Sequence, residues 1–325
     1  MNSFRSLRSS LLQAAAIAVV VLSPVSVPAC SICGCSLSAD WAFHNFSDAS
    51  GISAGVRFEH IGQHNLRSGT GSVDTAAIAF PNADEIQLST ISRNTWLDLD
   101  WTGQGGWGVS LQAPFINRSH ATIVDGDTAA STSHANGVGD VRLVARRQLQ
   151  ASHMNTWAFT FGLKLPTGRT DQSFDSGPQA GTPLDRGLQL GTGTTDLLAG
   201  AAYFSRPAVE WGWFAQIQLV QPLNSCDGFR PSPSVTASTG VRRLTSGWLT
   251  PQLQLNVRWD GREAGANSDT PNSGGTFVAL SPGVTAEMGA TATAFTSVQV
   301  PVWQRVNGLQ LEPRWLLTTG VRWRF

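Results

Sequence analysis

Three cysteines stand close together near the start of the chain, Cys30, Cys33 and Cys35, within the stretch ACSICGC. Thiolates at this spacing can bind a soft ion such as copper(I) or zinc. In an oxidising compartment they form disulfides instead, and Cys30 could also carry a lipid anchor. Attachment of a c-type haem is excluded because Gly34 stands where a His would be needed. The cluster could therefore make a metal or redox contact, form a disulfide or carry a lipid anchor. Cys226 is a fourth thiol that could pair with it.

The residues before this cluster have the pattern of an export signal. Arg5 and Arg8 give a positive start, residues 11–22 form an apolar run, and small residues precede Cys30. Such a run is short of the roughly 20 residues that a membrane-spanning helix needs. We therefore predict a signal peptide over 1–29, a Cys-rich periplasmic segment over 30–50 and a larger unit over 51–325.

The composition restricts the class of that larger unit. Only 14% of the residues are charged, against about 25% in soluble domains. The 22 basic and 22 acidic residues balance, which gives no electrostatic reason to expect nucleic acid as a partner. Apolar residues are frequent, yet residues 30–325 contain no apolar run long enough for a spanning helix. Alternation of apolar and polar residues is how a transmembrane β-barrel satisfies these conditions.

That alternation is present in the sequence. Apolar residues take every second position in WLTPQLQLNVRW, NTWAFTFGLKLP and LLTTGVRWRF. The pattern predicts an all-β fold, a transmembrane antiparallel up-and-down β-barrel of about twelve strands, each near ten residues long. Long connections alternate with five short turns, as expected for a barrel with both termini on the periplasmic side. The long connections are predicted at 62–89, 116–137, 166–194, 222–232, 260–275 and 303–315. A soluble lipocalin-like barrel would turn its apolar row inward.

Aromatic residues mark the strand ends. An interfacial girdle is predicted from seven tryptophans, Trp107, Trp157, Trp213, Trp259, Trp303, Trp315 and Trp323. The last strand ends on Phe325 and resembles the closing strand of bacterial outer-membrane barrels, where the terminal aromatic is the assembly signal. We therefore expect the outer membrane of a Gram-negative bacterium, with its lipid and the barrel assembly machinery as partners.

The polar rows of these strands supply the candidate pore lining. About 8 strands leave a filled interior and 16 to 18 an aqueous pore, so twelve predict a narrow path. Its charges either pair across the wall or form a polar constriction that selects solutes. The candidates are Arg57, Glu59, Asp98, Asp100, Arg142, Arg146, Lys164, Asp196, Gln216, Gln218, Gln252, Gln254, Arg258, Glu287, Arg322 and Arg324.

One loop carries a family resemblance. Lys164, Pro166, Thr167 and Gly168 form a K-x-P-T-G element, and a Q-x-G-T-G-x-x-D element follows at Gln189, Gly191, Gly193 and Asp196. This stretch of about forty residues resembles the outer-membrane family named for the meta-pathway of phenol degradation. The resemblance implies an outer-membrane channel or transporter and no reaction. Pro166 ends a strand and the glycines permit tight turns, so the loop is expected to fold over the pore.

Enzyme chemistry is not expected. His64 and Ser68 lack the compact His-x-Ser arrangement of the outer-membrane phospholipase, and no Gly-Lys-Ser or Gly-Lys-Thr is present. The sequence therefore predicts a passive or gated channel for small solutes, among them aromatic or other small organic compounds, without a cofactor. The alternative is a barrel that binds copper or zinc at Cys30, Cys33 and Cys35, or docks a periplasmic redox or metal-handling protein there.

Overall fold

Strands make up most of the chain in the computed structural model, which describes residues 29–30, 50–82, 84–152, 154–244 and 247–325. They are β1 (Ala29–Cys30), β2 (Gly51–Gly69), β3 (Gly71–Val73), β4 (Ile86–Thr102), β5 (Trp107–Ile123), β6 (Ser131–Val138), β7 (Val141–Ser152), β8 (Asn155–Leu165), β9 (Asp196–Ala208), β10 (Trp211–Pro222), β11 (Ser234–Arg243), β12 (Leu249–Asp260), β13 (Ser273–Met288) and β14 (Ala292–Arg324). Three short 3-10 turns, Thr75–Ala77, Gln104–Gly106 and Arg186–Leu188, lie between them. No helix among the described residues is long and apolar enough to cross a membrane.

The strands form one closed antiparallel sheet. Each wall strand pairs with its neighbours along the chain, and β14 closes the ring on β2. β14 reverses near Gly308, so that its first part pairs with β13 and its second with β2. β6 and β7 both pair with β5 and form a single pass that is interrupted at Gly139 and Asp140. Counted in this way, the wall has twelve passes, and the predicted fold class is confirmed.

Alternation along each strand separates the two faces of the wall. In β8 the residues Ala158, Thr160, Gly162 and Lys164 are buried in the interior. The residues between them are large, apolar and exposed, namely Trp157, Phe159, Phe161, Leu163 and Leu165. An outer surface of this kind is stable in lipid rather than in water.

The seven predicted girdle tryptophans are all exposed on the outer surface. We call the end of the barrel with the short turns the turn end, and the opposite end the loop end. Trp107, Trp157, Trp213 and Trp323 lie toward the turn end, and the other three toward the loop end. Two aromatic belts at the two limits of an apolar surface are typical of membrane barrels.

The loop end differs from the prediction in three places. β2 runs on to Gly69, β5 and β6 form a hairpin over much of 116–137, and β14 continues through 303–315. Beyond the apolar belt a strand no longer needs alternating side chains, because pairing of the backbone alone sustains the ladder. The extension has its own apolar cluster of Leu66, Ile86 and Leu311. The predicted long loops at 62–89, 116–137 and 303–315 are therefore wrong in extent.

The start of the chain is described only at Ala29 and Cys30, whose backbone pairs with Gly274 and Ser273 at the loop end of β13. Residues 1–28 and 31–49 lie outside the described residues. The predicted signal peptide over 1–29 and the segment over 30–50 therefore stay predictions.

Candidate solute pathway

The predicted lumen row can be placed residue by residue. Glu287 and Arg324 are exposed at the rim of the turn end. The other fourteen are buried or half-buried on the inward face of the wall: Arg57, Glu59, Asp98, Asp100, Arg142, Arg146, Lys164, Asp196, Gln216, Gln218, Gln252, Gln254, Arg258 and Arg322. That these side chains line a conducting path stays a prediction.

Trp96 lies at the centre of a charged cluster inside the lumen. Its side chain is 5% exposed, and its indole N–H donates to Glu59 Oε2 at 3.0 Å. The guanidinium carbons of Arg57 and Arg142 lie 4.9 and 4.7 Å from the centre of the Trp96 ring. Arg57 also contacts Glu59 at 2.9 Å and Asp98 at 3.7 Å. Cation–π contacts and ion pairs together fix the position of the ring inside the lumen.

Two further sets of contacts lie inside the lumen nearer the turn end. Arg322 pairs with Asp100, whose other carboxylate oxygen accepts from Ser110. Arg146 donates to the Thr102 hydroxyl at 2.9 Å. Charges buried in this way are tolerated because each acid has a cationic or hydroxyl partner.

Asp140 anchors the long loop of residues 166–195 to the barrel wall. The Lys164 ammonium lies between two carboxylates, 3.1 Å from Asp140 Oδ2 and 2.8 Å from Asp196 Oδ2. Asp140 also accepts the backbone N–H groups of Gly168 at 3.0 Å and Thr192 at 2.9 Å. One buried carboxylate thus fixes both ends of the loop, and its contacts with Lys164 are charge-assisted.

The two elements of the resemblance meet at this anchor. Gly168 and Gly191 lie so close that a Cβ on Gly168 would come within 2.7 Å of the Gly191 backbone, and a Cβ on Gly191 within 2.5 Å of Asp140 Oδ1. Only glycine allows the two strands of loop backbone to approach this closely. Gln189 accepts from the backbone N–H of Gln172 at 2.7 Å and ties the two halves of the loop together.

The loop of residues 166–195 divides the lumen near the loop end into two cavities. From below, Arg118 of β5 donates to the carbonyls of Gly187 at 3.1 Å and Gln189 at 3.3 Å. From above, Arg186 contacts Asp227 at 3.3 Å. An inner cavity of about 210 Å³ lies between the loop and Trp96, and an outer cavity of about 650 Å³ lies on the other side of the loop. Gly187 and Gln189 line both, so the loop is the partition between them.

The outer cavity is strongly acidic. Seven carboxylates line it against the single base Arg186; they are Asp84, Glu85, Asp125, Asp185, Asp227, Glu263 and Asp269. Burial and the nearby carboxylates of Asp185, Asp269 and Asp125 raise the pKa of Glu85 to about 7. Burial, and then Asp269, also raise the pKa of Asp185. The Thr122 hydroxyl, which donates to Glu85 at 2.6 Å, opposes the rise in the pKa of Glu85.

We expect the loop end to pack more tightly as the pH falls from about 8 to 6. Because the pKa of Glu85 is raised from 4.5 to about 7, its contribution to stability is fully present below the unfolded value and is lost as the pH rises through about 7. Limited proteolysis of the outer loops should therefore slow several-fold at the lower pH. Glu85→Gln should lose most of this dependence, whereas Glu210→Gln, at an exposed pair of the turn end, should keep it. If Glu85→Gln and Glu210→Gln showed the same pH dependence of proteolysis, Glu85 would not be the group that causes it.

Sequence reasoning missed three residues of this site, Trp96, Arg118 and Asp140. Trp96 has the same strand parity as Asp98 and Asp100, and that parity alone marks it as inward-facing. Arg118 stood in a predicted loop. Asp140 follows Gly139 at the break between β6 and β7 and shares the strand parity of Arg142 and Arg146, but no pattern indicated that its carboxylate holds a loop.

The cysteine prediction is not tested by the structure. Cys33 and Cys35 lie outside the described residues. Cys226 lies in the connection between β10 and β11 at the loop end, where its thiol is 3.4 Å from Asp227 Oδ2. Within the described part of the chain Cys226 forms no disulfide, and no group of three His, Cys, Asp or Glu could hold a metal ion. The metal, disulfide and lipid readings of Cys30, Cys33 and Cys35 stay predictions.

Comparison with solved structures finds similarity to several β-barrels. The COG4313 outer membrane channel from Pseudomonas putida F1 superposes with a TM-score of 0.63 at 15% identity, over 85% of this chain and 96% of that one. The translocator domain of autotransporter NalP from Neisseria meningitidis has a TM-score of 0.49 at 10% identity, over 88% and 91% of the two chains. The CymD monoaromatic hydrocarbon channel has a TM-score of 0.39 at 8% identity, over 85% and 89%.

No family model and no curated protein sequence matches the chain. At 15% identity, the likeness to the channel from Pseudomonas putida F1 shows a common fold. This chain is therefore similar in fold to an outer-membrane channel barrel.

Proposed function

We propose that this protein is an outer-membrane channel for passive or gated passage of small organic solutes, including aromatic ones. The observation that carries the proposal is the pair of cavities in the lumen, separated by a loop that is anchored to the wall. A barrel with a merely structural role would not need a cavity partitioned in this way. The proposed role is passage and not a chemical reaction.

The arrangement of the barrel supports a direction for that passage. In this proposal the loop end faces the outside of a Gram-negative cell and the turn end faces the periplasm. The acidic outer cavity then faces the outside, the loop of residues 166–195 is the gate, and the cluster around Trp96 is the narrowest part. The anchor formed by Lys164, Asp140 and Asp196 supports the resemblance to the phenol meta-pathway family, because it brings that family's two sequence elements together.

Two measurements on the purified full chain test this function. In planar bilayers we expect discrete conductance steps that are smaller than those of a large open porin, since the loop and the Trp96 cluster narrow the lumen. In liposome swelling we expect permeation of small aromatic acids and alcohols and exclusion of disaccharides. Absence of both conductance and swelling from folded, inserted protein would refute the proposal.

Phe325 is proposed as the signal for the barrel assembly machinery. It directly follows β14 and is 79% exposed, and its backbone N–H donates to the Ile52 carbonyl where β2 begins. Phe325→Ala should lower the amount of folded protein in the outer membrane several-fold, measured by heat-dependent gel mobility of membrane fractions. Val209→Ala, at an exposed turn position, is the control and should assemble normally. Equal assembly of both variants would show that the assembly machinery does not recognise the aromatic ring of Phe325.

A further inference from the structure

The inner cavity carries an excess of positive charge. Its lining includes the bases Arg118, Arg142, Lys164, Arg186 and Arg258 and the acids Asp140, Asp196 and Asp260. Arg186 also lines the outer cavity and contacts Asp227 at 3.3 Å. The other four bases against three acids leave one positive charge around a space inside the barrel. A charge inside such a space acts more strongly than in water, so the lining favours a solute that carries a negative charge.

The same cavity has an apolar wall. Trp96 forms part of it, and the other apolar lining residues are Pro114, Ile116, Leu190, Val220 and Pro231. A cavity of about 150 Å³ lined by apolar side chains holds benzene. The volume of about 210 Å³ therefore has room for one ring with one or two small polar substituents.

Asn94 places a hydrogen-bond acceptor in the inner cavity that a donor on the solute would satisfy. Its side chain is 4% exposed and lines the inner cavity, and its Oδ1 has no hydrogen-bond partner among the described residues. Buried acceptors are almost always satisfied in folded proteins. A ring hydroxyl on the solute would donate to this oxygen.

From these three observations we propose that the inner cavity is a binding site for a small aromatic carboxylate bearing a ring hydroxyl, in the chemical class of the hydroxybenzoates. The inference rests on the proposed channel function and names the class of solute that the channel holds. The carboxylate lies among the bases, the ring lies against the apolar wall beside Trp96, and the hydroxyl donates to Asn94. The outer cavity does not hold the anion, because seven carboxylates line it against Arg186 alone.

Isothermal titration of the full chain in detergent micelles tests the site directly. The probes are the three hydroxybenzoate isomers, benzoate, and the alcohol and ammonium analogues of the tightest isomer. We expect the hydroxylated acid to bind about tenfold or more tightly than its neutral alcohol, as one charge near the excess bases predicts. The ammonium analogue should bind more weakly still. Equal affinity for acid and alcohol would overturn the inference.

Two arginines of β7 give a matched pair of variants. Arg142 lies 4.7 Å from the Trp96 ring inside the lumen, and Arg147 lies 5.0 Å from the Trp107 ring at the turn end. Arg142→Gln should weaken hydroxybenzoate binding about tenfold and leave the alcohol unchanged, whereas Arg147→Gln should leave both unchanged. Equal losses in both variants would overturn the site. Should Arg142→Gln fail to fold, the acid and alcohol affinities of the wild-type protein decide the question.

A third variant addresses the hydroxyl. Asn94→Leu should remove the advantage of hydroxybenzoate over benzoate while keeping the advantage of acid over alcohol. Retention of the hydroxyl advantage would overturn the role of Asn94. Conductance separates the inference from the proposed function: a wild-type channel that conducts without preferring the acid refutes only the inference, whereas a protein that binds the acid but neither conducts nor supports swelling refutes the channel.

Discussion

Trp96→Ala is expected to raise the single-channel conductance about threefold, because the ring is the largest side chain at the narrowest part of the proposed path and selectivity in such paths follows their bore. The ring lies between the inner cavity and the lumen toward the turn end, held by Arg57 and Arg142. Its removal leaves both guanidinium groups without an aromatic partner and deprives Glu59 of a donor. The variant should also lose some stability, since truncation of a buried Trp costs about 3–5 kcal/mol.

Planar bilayer recording measures this change. Trp101→Ala is the matched control, because Trp101 lies on the same strand but is 50% exposed on the outer surface. Its removal should leave the conductance at the wild-type value. Identical conductance of wild type, Trp96→Ala and Trp101→Ala would show that the Trp96 cluster is not the constriction.

The wall of the barrel was predictable because lipid imposes a rule on every second residue. The row from Trp157 to Leu165 can face only lipid, which fixes the opposite row of β8, Lys164 included, on the interior. The same rule ends where the membrane ends. His120, in a part of β5 predicted to be loop, is buried within the extended ladder, since beyond the lipid a strand is stabilised by pairing and local packing rather than by a period of two.

The candidate site was predictable only in part. Lys164 and Asp196 were identified as pore-lining candidates, and they lie opposite each other in the β8–β9 pair. Their third partner, Asp140, lies in the break between β6 and β7. Nothing local in the sequence shows that its carboxylate reaches loop backbone 28 and 52 residues further on. The division of the lumen depends on such non-local contacts. A pattern with a period of two carries no information about them.

Asp140→Ala is expected to release the loop of residues 166–195 and to increase the open probability of the proposed channel. Asp140 is 7% exposed and holds Lys164, Gly168 and Thr192 at once. Each hydrogen bond that the Asp140 carboxylate accepts from the loop backbone contributes about 1.5–3 kcal/mol. This loss acts on the loop, whereas the barrel wall keeps its backbone ladder. The freed Lys164 still contacts Asp196 at 2.8 Å, so the lumen does not acquire an isolated charge.

Limited proteolysis and bilayer recording together test this expectation. Cleavage within residues 166–195 should become at least tenfold faster in Asp140→Ala, while heat-dependent gel mobility continues to report a folded barrel. Asp171→Ala is the control on the same loop, since the Arg169–Asp171 pair is largely exposed and such pairs contribute little to stability. If Asp171→Ala raised the open probability as much as Asp140→Ala, contacts on the exposed surface of the loop would control the gate. Opening by Asp140→Ala alone would place control of the gate at the buried anchor, where the two halves of the loop meet the wall.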